Sequence, residues 1–129
     1  MATALQEVYG NASSMHGPGQ AARQHLENAR RRVAGFLGAS AAEIVFTSGG
    51  TEANNLAILG MARGRKHVVT TSIEHPSVLE CVRQLDREGV DVSVVDVAAV
   101  GQSLREDTVL VSVMHANNET GAIQPVREI

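Results

Sequence analysis

Aromatic residues are nearly missing from this chain: one Tyr, two Phe and no Trp in 129 residues. A core must therefore be built from Ala, Val, Leu and Ile, a composition that suits helices packed on a sheet. The single cysteine, Cys81, excludes an internal disulfide and any multi-cysteine zinc site, and fits a reducing compartment. Lysine is as scarce, with Lys66 the only one. The five histidines, at 16, 25, 67, 75 and 115, show no paired spacing on one helical face, so no metal site is expected. No apolar stretch approaches membrane-spanning length, and the N-terminus lacks the basic-then-apolar order of a signal peptide, so a cytoplasmic protein is expected. The net charge is −3, and the only basic run, Arg30 to Arg32, lies inside an amphipathic pattern, so nucleic acid is not an expected partner.

What is present is enough for one domain, since 43% of the residues are hydrophobic. A polar, turn-rich opening (GNASSMH, 10–16) precedes Pro18, a residue tolerated at a helix start because its missing N–H needs no partner. Ala22, Leu26, Ala29, Val33, Phe36 and Leu37 then recur at three and four residues, predicting a helix with one inward stripe that Gly38 stops. A short strand is predicted at 43–47 (EIVFT), then a glycine turn and a helix from about Thr51 to 63. A second strand is predicted at 66–71. Pro76 opens a helix in which Val78, Cys81, Val82 and Leu85 share a face before Gly89 ends it. Val90, Val92 and Val94 alternate as a third strand, and 108–114 (TVLVSVM) reads as a strand covered on both faces. A polar loop leads to Pro125, where another helix is expected to begin. Strands alternating with helices of this length predict an α/β fold with a mainly parallel sheet.

In an open parallel sheet, ligands bind beyond the carboxyl ends of the strands, so the polar segments 48–55, 72–75 and 115–121 are expected to converge on one edge. In TSGGTEAN, the glycines allow backbone N–H groups to approach an anion, and Thr51 adds a hydroxyl at a helix N-terminus. The same residues also suit a plain tight turn capped by Thr51. It is not a P-loop, because Glu52 follows Thr51 and no lysine precedes it. His75, between a strand end and Pro76, is placed either to stack on a planar ligand and move protons or to cap the helix. Asn117, Asn118 and Glu119 follow the last strand, where amides either bind a ligand or make a turn. Lys66 opens its strand at the far, amino end and is a poor Schiff-base candidate. Cys81 shares the apolar stripe of its helix, so a core role is expected rather than a nucleophilic one.

GNASSMH, FTSGGTEANNLAILG, IEHPSV and MHANNETGAIQPV, in that order and at these spacings, closely resemble the cysteine desulfurases over nearly the whole chain from Gly10. The Asn-Asn-Glu-Thr-Gly loop favours the branch that serves iron–sulfur assembly and nitrogen fixation. The resemblance implies a class V aminotransferase with the fold type I architecture of pyridoxal 5'-phosphate (PLP) enzymes. It also implies removal of sulfur from L-cysteine to give L-alanine and an enzyme-bound persulfide, a homodimer, and a sulfur-acceptor scaffold protein as partner. Carried over residue by residue, Gly50 and Thr51 match the positions that bind the cofactor phosphate. His75 matches the catalytic histidine stacked over the pyridine ring, and Asn118 the asparagine near the ring hydroxyl and substrate. Ser13, Ser14 and His16 match an opening loop without an assigned chemical role.

The resemblance also carries departures. Ala12 stands where a proline is common. The family's first strand is not found before Met1, and its pyridinium-pairing aspartate, Schiff-base lysine, substrate-binding arginine and persulfide cysteine would all follow Ile129. Residues 1–129 are accordingly expected to form a partial PLP-binding large domain, inactive alone. Another class V lyase or transaminase, or a non-catalytic phosphate- or cofactor-binding module, are the alternative readings.

Overall fold

The computed structural model describes residues 6–62, 64 and 66–129, which form two compact units, Met1–Phe46 and Thr47–Ile129. The first is built on helix α1, Gly17–Leu37. His16, extended at its N-cap, accepts the Gly19 N–H on Nδ1 at 3.2 Å, and Pro18 sits in the first turn as expected. Gly38, at φ +68°, stops the helix in the left-handed region that glycine adopts at little cost. The opening turn packs tightly on the helix start: a Cβ on Gly19 would lie 2.5 Å from the Ser14 carbonyl oxygen.

Two expectations fail in this unit. The apolar stripe of α1 is largely uncovered, with Phe36 89% and Leu37 62% exposed, and only Gly19, Ala22 and Ala34 buried. Apart from α1, the unit's main regular element is a 3-10 turn at Ala41–Glu43, too little apolar surface to cover a 21-residue helix. The strand expected at 43–47 is also missing: the segment joins no ladder. Its Ile44 carbonyl instead accepts from the Arg30 guanidinium, which lies 5.0 Å from the centre of the Phe46 ring and 3.2 Å from Glu27. A strand exists only where a neighbour takes its backbone groups, and here a side chain takes one.

The second unit has helix α2 (Gly50–Met61), strand β1 (His67–Thr71), helix α3 (Pro76–Arg87), strand β2 (Val92–Val95) and strand β3 (Thr108–Ser112). The sheet order is β2-β1-β3 and every pairing is parallel, the α/β arrangement expected. Val68 pairs with Val92 on one side and Leu110 on the other, so the three share a face. On it pack Ile58 and Ala62 from the α2 end and Val78, Cys81, Val82 and Leu85 from α3, with Val90 closing the cluster. The expected stripe of α3 is thus the buried one. Burying each such Val, Leu or Ile stabilises the fold by roughly 1.5–3 kcal/mol.

β3 corrects another expectation. It is an edge strand of the described sheet, half-buried, with Val111 41% exposed; the strand covered throughout is β1, whose five side chains are all buried. At its start, His67 bonds Ser93 Oγ through Nε2 (2.9 Å) and Thr108 Oγ1 through Nδ1 (2.8 Å), tying β1 to both neighbours. The register slips by one residue beside it. At Pro125, where a helix is expected to begin, Glu128 donates its N–H to the Pro125 carbonyl (2.9 Å) in a single turn. Among the described residues, no helix is long and apolar enough to cross a membrane.

Candidate cofactor site

Parallel pairing puts the carboxyl ends of β1 and β3 on one edge of the sheet, and segments 72–75 and 115–121 leave from it. Segment 72–75 is held there on both sides. Ser72 donates its N–H to the Val95 carbonyl (3.0 Å), and the buried Glu74 accepts from Ser112 Oγ at the end of β3 (2.8 Å). The first turns of α2 and α3 meet at the same edge: Asn54 Nδ2 donates to Ser77 Oγ at 2.8 Å, and Asn55 Nδ2 to the Ser77 carbonyl at 3.4 Å.

Thr51 and His75 line one cavity of about 550 Å³, the first at the start of α2 and the second at the N-cap of α3. The cavity continues between the two helices past Asn55, Leu59, Glu80 and Gln84 to Arg87. Gly50 and Asn118 are not among its lining residues. Gly50 opens α2, and nothing lies within 4 Å of where a Cβ would stand on it or on Gly49.

Asn118 occupies a loop closed by the Ala116–Ile123 bridge and by Gly121 at φ +72°. Asn117 is the turn-maker, its Oδ1 accepting from the Glu119 and Thr120 N–H groups (3.0 and 2.9 Å). Asn118 is exposed and makes no side-chain hydrogen bond among the described residues. Structural work and ligand availability are thereby divided between adjacent asparagines.

These residues fit a phosphate-bearing planar cofactor. The first N–H groups of a 12-residue helix have no intrahelical acceptor and favour an anion. Glu52, the acidic residue of that turn, is already committed: one carboxylate oxygen accepts both the N–H and the hydroxyl of Ser48 at 2.7 Å, which holds its pKa below the usual carboxylate range. The turn therefore keeps donors at Gly50 and Thr51 and open space beside the glycines.

His75 does cap α3, as one of its two readings had it, since Nδ1 accepts the Ser77 N–H at 3.0 Å; its ring is nonetheless exposed at the cavity. Sequence reasoning missed Asn54, Ser77 and Glu74, which hold the edge together. For Ser77 a signal existed in its position two residues past a capping histidine. Among the described residues no three His, Cys, Asp or Glu side chains gather as a metal site.

The two residues set aside stay aside. Lys66 stands just before β1, at the amino end of the sheet. Cys81 is 4% exposed within the core cluster, and burial, then the Glu88 charge, raises its thiol pKa. A thiol reagent is expected to modify Cys81 at least a hundredfold more slowly in the folded chain than in denaturant. The raised pKa also fixes a sign: its contribution to stability is full below the unfolded thiol value near 8.5 and is lost as pH rises from there toward the folded value. Urea titrations across that range on wild type and Cys81→Ala check it, the variant losing less stability with alkalinity.

The chain matches the family described as "Aminotransferase class-V" over residues 1–129. It is 49% identical over 134 residues to cysteine desulfurase IscS of Stutzerimonas stutzeri, covering 94% of this chain and 33% of that protein. To cysteine desulfurase IscS 1 of Archaeoglobus fulgidus it is 44% identical over 137 residues, 97% of this chain and 36% of the relative. The chain thus spans about a third of the curated relatives it matches. Among solved structures, a NifS-like protein superposes with a TM-score of 0.87 at 40% identity, over 98% of this chain and 38% of the other. DndA from Streptomyces lividans superposes at 0.80 with 44% identity, over 98% and 38%. A parallel α/β sheet with an anion-suited helix start on its carboxyl edge, together with a match along the full sequence, makes this chain a member of the aminotransferase class-V family.

Proposed function

We propose that this chain is the phosphate-binding and ring-facing part of a PLP-dependent cysteine desulfurase, one that takes sulfur from L-cysteine, leaves L-alanine and passes a persulfide sulfur toward iron–sulfur cluster assembly. The observation that carries the reading is the meeting of Thr51, at the start of α2, and the His75 ring on one cavity. In support, relatives of 43–49% identity are named cysteine desulfurases, and a solved neighbour of 34% identity is described as SspA in complex with cysteine. Residues 1–129 correspond to part of a large PLP-binding domain. The working protein is a cytoplasmic homodimer that delivers sulfur to a scaffold protein.

In this reading Gly50 and Thr51 would hold the cofactor phosphate through backbone N–H groups and the Thr51 hydroxyl, and the His75 ring would face the cofactor from the same cavity. Asn118, on the loop leaving β3, would hydrogen-bond the cofactor's ring hydroxyl or the substrate. PLP, when bound, supplies an electron sink for the carbon that carries the substrate's amino group. The chain's own residues orient and hydrogen-bond; none of them is an attacking thiolate, because Cys81 is buried.

Titration with PLP, read by the cofactor's visible absorbance, is expected to show saturable binding that Thr51→Val weakens several-fold. Borohydride treatment is expected to leave no stoichiometric adduct at Lys66, and L-cysteine to yield no sulfide from this chain alone. Efficient trapping at Lys66, or sulfide release, would mean that the chemistry lies elsewhere.

A further inference from the structure

We propose that Asn54 and Ser77 are positioning residues that lock His75 in the tautomer carrying its proton on Nε2, so that the neutral ring meets the cavity as a hydrogen-bond donor. A backbone N–H can only donate. The Ser77 N–H lies 3.0 Å from His75 Nδ1 and satisfies hydrogen-bond geometry, so Nδ1 is the acceptor and a neutral ring holds its one proton on Nε2.

The side chains complete the arrangement. Ser77 Oγ is also 2.8 Å from Nδ1. With Nδ1 unprotonated, that contact is attractive only when the hydroxyl donates its proton to the ring. The hydroxyl oxygen is then left to accept, and the Asn54 amide nitrogen, 2.8 Å away, donates to it. The direction runs one way, from the α2 amide through the α3 hydroxyl to the ring. The amide of Asn54 is oriented by the same logic: turned over, its oxygen would draw the Ser77 proton away from Nδ1 and leave two lone pairs facing each other.

Asn55 braces the same turn by donating to the carbonyls of Thr51 (2.8 Å) and Ser77 (3.4 Å). Both relay residues are partly shielded from solvent, which protects the bonds from competition by water. The consequence for the reaction rests on the cofactor-site reading above. A ring held in this tautomer donates from Nε2 to an acceptor in the cavity. It accepts a proton at Nε2 only after a proton has moved to Nδ1, which requires both Ser77 contacts to break.

The tautomer is read without cofactor. Two-bond proton–nitrogen correlation spectra of the chain, labelled with nitrogen-15 in its histidines and recorded at alkaline pH, are expected to show His75 with a protonated Nε2 and a hydrogen-bonded, bare Nδ1. Ser77→Ala removes one of the two donors and is expected to raise the minor tautomer about five-fold, the loss of one net hydrogen bond; Ser77→Thr restores the wild-type spectrum. Asn54→Ala frees the Ser77 hydroxyl to rotate and moves the spectrum the same way, to a lesser extent. A protonated Nδ1 in the wild type, or the averaged shifts of an unstructured histidine, overturns the lock. Spectra of Ser77→Ala and Asn54→Ala that match wild type overturn the role given to these two side chains. PLP titration of the same samples separates the two claims, since failure to bind with the Nε2 tautomer in place defeats the cofactor-site reading alone.

Discussion

Replacing Gly50 by Asp is expected to lower the affinity of this chain for PLP by about a hundredfold while leaving the fold intact. Gly50 is the first residue of α2, and open space surrounds the position of an added Cβ, so the new side chain meets no steric obstacle. A carboxylate in the first turn of a helix is electrostatically favourable, so α2 itself should not weaken. The same carboxylate would occupy the donor end of the turn and repel a cofactor phosphate a few ångströms away. Glu52 does not take these donors in the natural chain, because Ser48 holds its carboxylate away from them. Absorbance titration gives the affinity and circular dichroism the fold. Undiminished binding by a well-folded Gly50→Asp variant would place the phosphate away from this turn, and Gly50→Ala, which adds bulk without charge, should change affinity far less.

Val68→Asp is expected to abolish cooperative folding of the second unit. Val68 is fully buried in the central strand, paired to Val92 and Leu110 and packed under Ala62, Val82 and their neighbours. A carboxylate there has no cation among the residues of that cluster, and burying a polar or charged group without a partner costs several kcal/mol, a large part of the stability of a small domain. Val68→Ala removes two methyl groups and should cost only about 1–2.5 kcal/mol, so the two variants separate lost packing from buried charge. Urea unfolding followed by far-ultraviolet circular dichroism reads both. A cooperative Val68→Asp transition with a near-native midpoint would mean that this face is open to water.

The cysteine desulfurase resemblance was readable because it resides in contiguous runs such as FTSGGTEANN and MHANNETGAIQP, which carry their spacing with them. Its weight came from order along the chain, whereas the cavity shared by Thr51 and His75 joins positions 24 residues apart through the packing of α2 against α3. Asn118 shows how far this reaches. Topology places its loop on the carboxyl edge, but it does not line the cavity with the other two.

Local chemistry was sufficient wherever one residue's own conformational limits decide the outcome. Pro18 and Pro76 fall in the first turns of their helices, where a missing N–H costs nothing, Gly38 ends one because it accepts a positive φ, and the period of Val78, Cys81, Val82 and Leu85 puts them on one face of α3. Segment 43–47 and strand β3 show the limit. Their composition is that of strands, but whether a strand forms and how many of its faces are covered depends on neighbours far along the chain. Arg30 took the Ile44 carbonyl, and β3 lies at the edge of the described sheet. The same holds at the site. Residue types alone made His75 either a cap or a ligand-facing ring; the structure shows it as a cap through Nδ1 whose exposed ring also lines the cavity formed by the packing of α2 against α3, and that packing is tertiary.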